Sequence, residues 1–145
     1  MRYKGPVGEV FGEHERARVA AALDEHVPGA SALGAVEYVE RLLTALDHDP
    51  PRVWAAPGAW AGVEHEWLAL GPWERHAWQQ RIDGWRALYQ RLLAGSAQPG
   101  DERTLRAHAI EATYGDPAYG GNRAGGGWHR IAFPEPLFPP GRSAS

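Results

Sequence analysis

Between Pro72 and Ala94, large apolar side chains recur at Trp78, Ile82, Trp85, Tyr89 and Leu92, a 4-3-4-3 spacing. An α-helix brings residues so spaced onto one face, and a seam of that kind has to be buried against other helices. The segment carries its own boundaries. Pro72 suits the first helical position, and Gly95-Ser96 stands just past the end. Other amphipathic segments are needed to cover such a seam.

Three are legible. From Gly12 onward Val19, Ala20, Leu23 and Val27 fall on one face, with Glu13 and Glu15 in the first turn and Pro28-Gly29 as the stop. A second helix is predicted from about Leu33 to Leu46, with Val36, Val39, Leu43 and Leu46 as its stripe and Leu42 broadening it. A third follows the linker Gln98-Pro99-Gly100, with Asp101 as N-cap and Leu105, Ala109 and Ala112 inward, Ile110 beside them, ending near Gly115. Residues 50–63 form a loop holding Trp54 and Trp60, and residues 64–70 a short helical turn. The fold class is therefore all-α: one domain over 1–145, with a compact bundle of four or five helices over 12–114 and a long irregular Gly/Pro-rich arm over 115–145.

Composition narrows the function classes. A chain of 145 residues with net charge -3 lacks the basic balance expected of a nucleic-acid binder. It has no cysteine, which removes disulfides, zinc-thiolate sites and iron–sulfur clusters from consideration. No apolar run approaches the roughly 18 residues of a membrane span. The N-terminal Met1-Arg2-Tyr3-Lys4 has neither an apolar export core nor a twin arginine, so a cytoplasmic location is expected unless the sequence is a processed form. Lys4 is the only lysine among 15 basic residues, read as compositional bias.

Catalytic patterns are not evident. The seven histidines show no His-Glu-x-x-His, and no two lie three or four residues apart, so they read as solvated or capping groups and no metal ligands are assigned. No Gly-x-Ser-x-Gly elbow occurs. The Gly-rich run from Gly120 to Gly127 lacks the preceding strand and following helix of a dinucleotide fingerprint, and the Lys-Ser/Thr of a P-loop. Its glycines and Asn122 read as a shaped turn, so neither a catalytic nor a cofactor-binding residue is expected in this chain. Yet Asp116, Tyr119, Asn122, Arg123, Trp128 and His129 gather polar and aromatic groups on irregular backbone. Chemistry alone leaves two readings open, an interface anchor and a structural lock.

The motif carries a resemblance. Asp116-Pro117-Ala118-Tyr119-Gly120-Gly121-Asn122-Arg123, then Gly127-Trp128, then Phe133-Pro134-Glu135-Pro136, resembles the C-terminal signature of the gluconate 2-dehydrogenase subunit 3 family. The helix ending in Pro28-Gly29-Ala30 and the one bearing Val36-Glu37-Tyr38-Val39 resemble its N-terminal half, so the likeness covers about 12–138. It implies a non-catalytic small subunit that binds and stabilises a flavoprotein of the glucose–methanol–choline oxidoreductase type. The FAD and the oxidation of sugars, glycosides, sugar acids or polyols then belong to that large subunit. The partner-facing residues it implies are Asp116, Pro117, Tyr119, Gly120, Gly121, Asn122, Arg123, Gly127, Trp128, Phe133 and Pro134. Exported members of the family carry a twin-arginine signal, which this N-terminus lacks.

Two readings compete with it: a stand-alone helical module whose tryptophans line a small-molecule pocket, and an enzyme working through Tyr119, Arg123 or His129, for which no base–nucleophile pair is evident.

Overall fold

The computed structural model describes residues 10–47, 70–115, 121–123 and 126–130. The predicted loop at 50–63, the turn over 64–69 and the tryptophans Trp54 and Trp60 lie outside them. Among the described residues every regular element is helical: α1 Glu13–His26, a 3-10 turn Ser31–Leu33, α2 Ala35–Leu43, a 3-10 turn Ala45–Asp47, α3 Pro72–Ala94, α4 Asp101–Tyr114 and α5 Gly126–Arg130. The all-α bundle is the architecture observed; of the segment read as an irregular arm, the described residues are 115, 121–123 and 126–130, and the last five are helical.

The core sits where the periodicity places it. Val19, Leu23 and Val27 of α1, Val36, Val39 and Leu43 of α2, and Leu105, Ala109 and Ala112 of α4 form one buried cluster with Leu88 and Tyr89 of α3. Helices α1, α2 and α4 pack on one another, and α3 lies against α1 and α2. A second, smaller cluster joins Ala45 and Leu46 to Ile82, with Trp78 and Trp85 packed against it. The seam of α3 is thus shared between two cores, which explains why a helix of 23 residues needs a stripe that long. Its first turns are less covered, and Trp73 is 84% exposed.

Three local expectations change. The N-cap of α4 is Gly100, and Asp101 is the first helical residue. Its carboxylate still accepts Gln98 N–H at 2.8 Å, but it also takes both arms of the Arg91 fork, at 3.0 and 2.7 Å, which staples α3 to α4. Ile110 is 42% exposed, because Leu105, His108, Ala109 and Ala112 already fill the inward arc of α4. The segment read as one helix over 33–46 is instead α2 flanked by the two 3-10 turns.

The arginines explain themselves better in space than in composition. The last carbonyls of a helix have no partner within it. Arg18 Nη1 donates to Leu93 O at 2.5 Å, Arg86 Nη2 to Leu43 O at 2.7 Å and Arg75 Nη2 to Leu46 O at 3.2 Å. Arg130 Nη2 donates to Pro28 O, just beyond α1. Each guanidinium closes the C-terminal end of an element other than its own, a reach and fork geometry that suits Arg better than Lys.

Candidate functional site

The motif of the arm meets the bundle at the C-terminal end of α4. Gly115 ends the helix, with its N–H donated to Glu111 O at 2.8 Å. The chain returns at Gly121, and Asn122 N–H donates to Ala112 O at 2.5 Å, filling one of the orphaned carbonyls of the last turn. The Asn122 side chain then works in both directions. Nδ2 donates to Gly115 O at 2.7 Å, and Oδ1 accepts Gly127 N–H at 2.7 Å. Asn122 is 0% exposed, so these bonds replace its water entirely. It is also the non-glycine residue with positive φ among the described residues, at 45°, a conformation that Asn tolerates.

The flanking glycines follow from that closeness. A Cβ on Gly121 would collide with the backbone of Ala112, and one on Gly127 with the carbonyl of Thr113 and, at 2.9 Å, with Asn122 Oδ1. Both therefore have to be glycine for the arm to reach α4. The bond from Gly127 N–H to Asn122 Oδ1 lies at the start of α5, a short helix that the sequence reading places in irregular chain. Gly126 abuts the Leu33 side chain, and Arg130 reaches Pro28, so α5 lies on the turn between α1 and α2.

For Gly121, Asn122 and Gly127 the open choice between anchor and lock resolves towards the lock, because their polar atoms and their lack of side chain are used inside the molecule. Arg123 points the other way. Its side chain is 63% exposed, and Nη2 lies 3.8 Å from Glu37 Oε1 on α2. Trp128 is placed on α5 by its backbone. Asp116, Pro117, Tyr119, Gly120, Phe133 and Pro134 lie outside the described residues.

A polar network continues from Arg123 through the bundle. Glu37 Oε1 accepts Arg16 Nη2 at 2.9 Å, and Arg16 Nη1 donates to Glu40 Oε1. Glu40 is 1% exposed, and its other oxygen accepts the N–H groups of Val10 and Phe11 at 2.7 and 3.1 Å. A buried carboxylate is tolerable only when so satisfied. It ties the segment before α1 to α2, while Phe11 packs on Tyr89 with ring centroids 5.8 Å apart. Periodicity gave no sign of this charge, because Glu40 lies on the buried side of α2, between Val39 and Leu43.

One histidine departs from the solvated reading. His108 is 3% exposed, and Tyr89 O–H donates to its Nδ1 across 2.8 Å in the Nε2–H tautomer. The two rings stack at 5.9 Å with 10° between planes, and Trp85 meets the imidazole edge-on at 5.3 Å. Burial pushes the imidazole down to about 4 and raises the phenol well above its ordinary range, with Glu111 adding to the latter. Both members of the pair are therefore neutral near pH 7. His26 Nε2 lies 2.8 Å from Glu102 Oε2. Among the described residues no group of three or more His, Asp or Glu is placed to hold a metal ion, and no helix is long and apolar enough to cross a membrane.

No protein-family model matches the chain, nor does any curated protein or any solved structure.

Proposed function

We propose that this chain is the small, non-catalytic subunit of a hetero-oligomer whose large subunit is an FAD-dependent oxidoreductase of the glucose–methanol–choline type, acting on sugars, glycosides, sugar acids or polyols. The observation that carries the reading is the segment from Asp116 to Trp128, in which sequence resemblance and geometry converge on Asn122. The resemblance makes that residue part of the signature, and in space it is the buried joint that seats the arm on α4. A joint of that kind fixes the backbone at Asn122 and at the start of α5, and preorganised backbone lowers the ordering cost of association.

In this reading the flavin and the hydride chemistry reside in the partner. This chain holds the partner's fold and supplies no reacting group. Arg123, whose side chain is 63% exposed, lies on its contact surface in this reading. The test is expression of a flavoprotein of that type from the same genome, with and without this chain. Co-expression is expected to raise the yield of FAD-loaded, sugar-oxidising enzyme severalfold. A flavoprotein equally stable and active alone, with this chain never bound to it, would overturn the reading.

A further inference from the structure

The aromatic rings of α3 and α4 form a line that runs from the outside of the bundle inward. Trp78 and Trp85 meet edge to face with centroids 6.4 Å apart, Trp85 meets the His108 ring at 5.3 Å, and His108 stacks on Tyr89 at 5.9 Å. Trp85 and Tyr89 are one turn apart on α3, so their side chains are also neighbours. The two tryptophans are partly buried, whereas Tyr89 and His108 are buried.

The inner end of the line holds a proton acceptor. Tyr89 O–H donates to His108 Nδ1 at 2.8 Å. Packing alone needs neither group, since apolar side chains would fill the space with no polar atom to satisfy. A phenol that has lost one electron is a far stronger acid than an imidazolium, so its proton crosses the hydrogen bond even to an imidazole whose basicity burial has lowered. Charge along the line favours the same direction. The Arg81 guanidinium lies 5.2 Å from the Trp78 ring and disfavours a positive charge resting there. Glu111, which accepts Tyr38 O–H at 2.9 Å, stands near enough to add to the effect of burial on the Tyr89 phenol, and its negative charge favours an imidazolium at His108.

We infer that Trp78, Trp85 and the hydrogen-bonded Tyr89–His108 pair form a radical relay, which carries an oxidising equivalent from the outer turns of α3 to a buried phenol. An oxygen-derived one-electron oxidant, such as the carbonate radical anion, takes an electron from Trp78 and is reduced to carbonate. Trp78 recovers an electron from Trp85, and Trp85 one from Tyr89. With that last electron the phenolic proton moves to His108 Nδ1. The products are two neutral indoles, a neutral tyrosyl radical and an imidazolium, and no bond to carbon forms or breaks. The relay lies within this chain and stands independently of the accessory-subunit reading.

The experiment uses the full chain with photogenerated tris(bipyridine)ruthenium(III) as oxidant, followed by the transient absorption of indolyl and tyrosyl radicals. Indolyl absorption is expected first, decaying as tyrosyl absorption rises, with a slower rise in heavy water. Tyr89→Phe should remove most of the tyrosyl signal, and Trp85→Phe should slow its appearance severalfold. His108→Gln keeps a hydrogen-bond acceptor without a basic nitrogen, so the indolyl radical should persist and the heavy-water effect disappear. Thermal unfolding of each variant verifies that it is folded when measured. Tyrosyl yield undiminished in Tyr89→Phe would overturn the terminus, and an unchanged rise in His108→Gln would overturn the proton transfer. A rise in the unaltered chain that is indifferent to heavy water would overturn the relay whatever the variants do.

Discussion

Replacing Asn122 by alanine would leave the buried Gly127 N–H and the part-buried Gly115 O without their partner, and would put a residue ill-suited to φ 45° at the joint. The expected loss is about 2–4 kcal/mol, from buried groups left unsatisfied at about 1–3 kcal/mol each. Chemical denaturation of the free chain measures it; a loss within experimental scatter would mean that the joint is not structural. A second effect at this scale is pH dependence. His108 has a folded pKa of about 4 against the ordinary 6.5, so the unfolded chain takes up the proton first. Stability from this group is intact above about pH 6.5 and is lost as pH falls towards 4, by about 3 kcal/mol in all. Asp101, held down to about 2 chiefly by Arg91 and then by Gln98 N–H, sheds its contribution only below its ordinary 3.8. The histidine's contribution thus falls at higher pH than that of Asp101, and His108→Phe should flatten the slope of stability between pH 7 and 4.5. An equal slope in that variant would contradict the assignment. Asn122 was legible as a turn residue, since Asn between glycines signals irregular backbone, but its two-way bonding was not. His108 was illegible: a histidine on a helix gives no sign of facing Tyr89 until the neighbouring helix is placed.

At the scale of elements, the helices were legible because each carries a stripe with punctuation. Pro72 and Gly95 bracket α3 as expected, with Gly95 closing it in the left-handed conformation. What pattern could not supply is how ends are tied. Asp101 reads as a cap from its type, whereas its fork with Arg91 depends on the angle of the turn between α3 and α4. The tether of residues 10–12 to α2 through Glu40 likewise joins positions about 30 apart in sequence. Arg16→Ala removes the cation facing that buried carboxylate. Because Glu40 keeps two backbone donors and Arg16 is partly exposed, we expect a loss of about 2–3 kcal/mol, below the range for a wholly buried pair broken on one side. Glu37→Ala, which removes only the half-exposed partner, should lose clearly less. Equal losses by thermal or urea unfolding would contradict the view that Glu40 is the member that matters. Gly127→Ala should detach α5 from α4, since the added methyl meets the Thr113 carbonyl. Hydrogen exchange would report faster amides at 126–130 with the centre of α4 still protected; unchanged protection would refute that steric account.

Over the described residues, α1, α2 and α4 pack on one another with α3 against α1 and α2, and one buried asparagine seats the chain beyond Gly115 on α4. The motif has two kinds of residue. Gly121, Asn122 and Gly127 hold the chain to itself, and Arg123, 3.8 Å from Glu37, is largely exposed. On the account proposed here, the exposed part meets a flavoprotein that carries the FAD. The most direct measurement is the composition of the assembly this chain forms in its own host, by size exclusion with flavin absorbance and native mass spectrometry. The account predicts a complex containing this 15.9 kDa chain and a flavin-bearing large subunit in fixed ratio. The chain eluting free of any flavoprotein, with its mass alone, would contradict it.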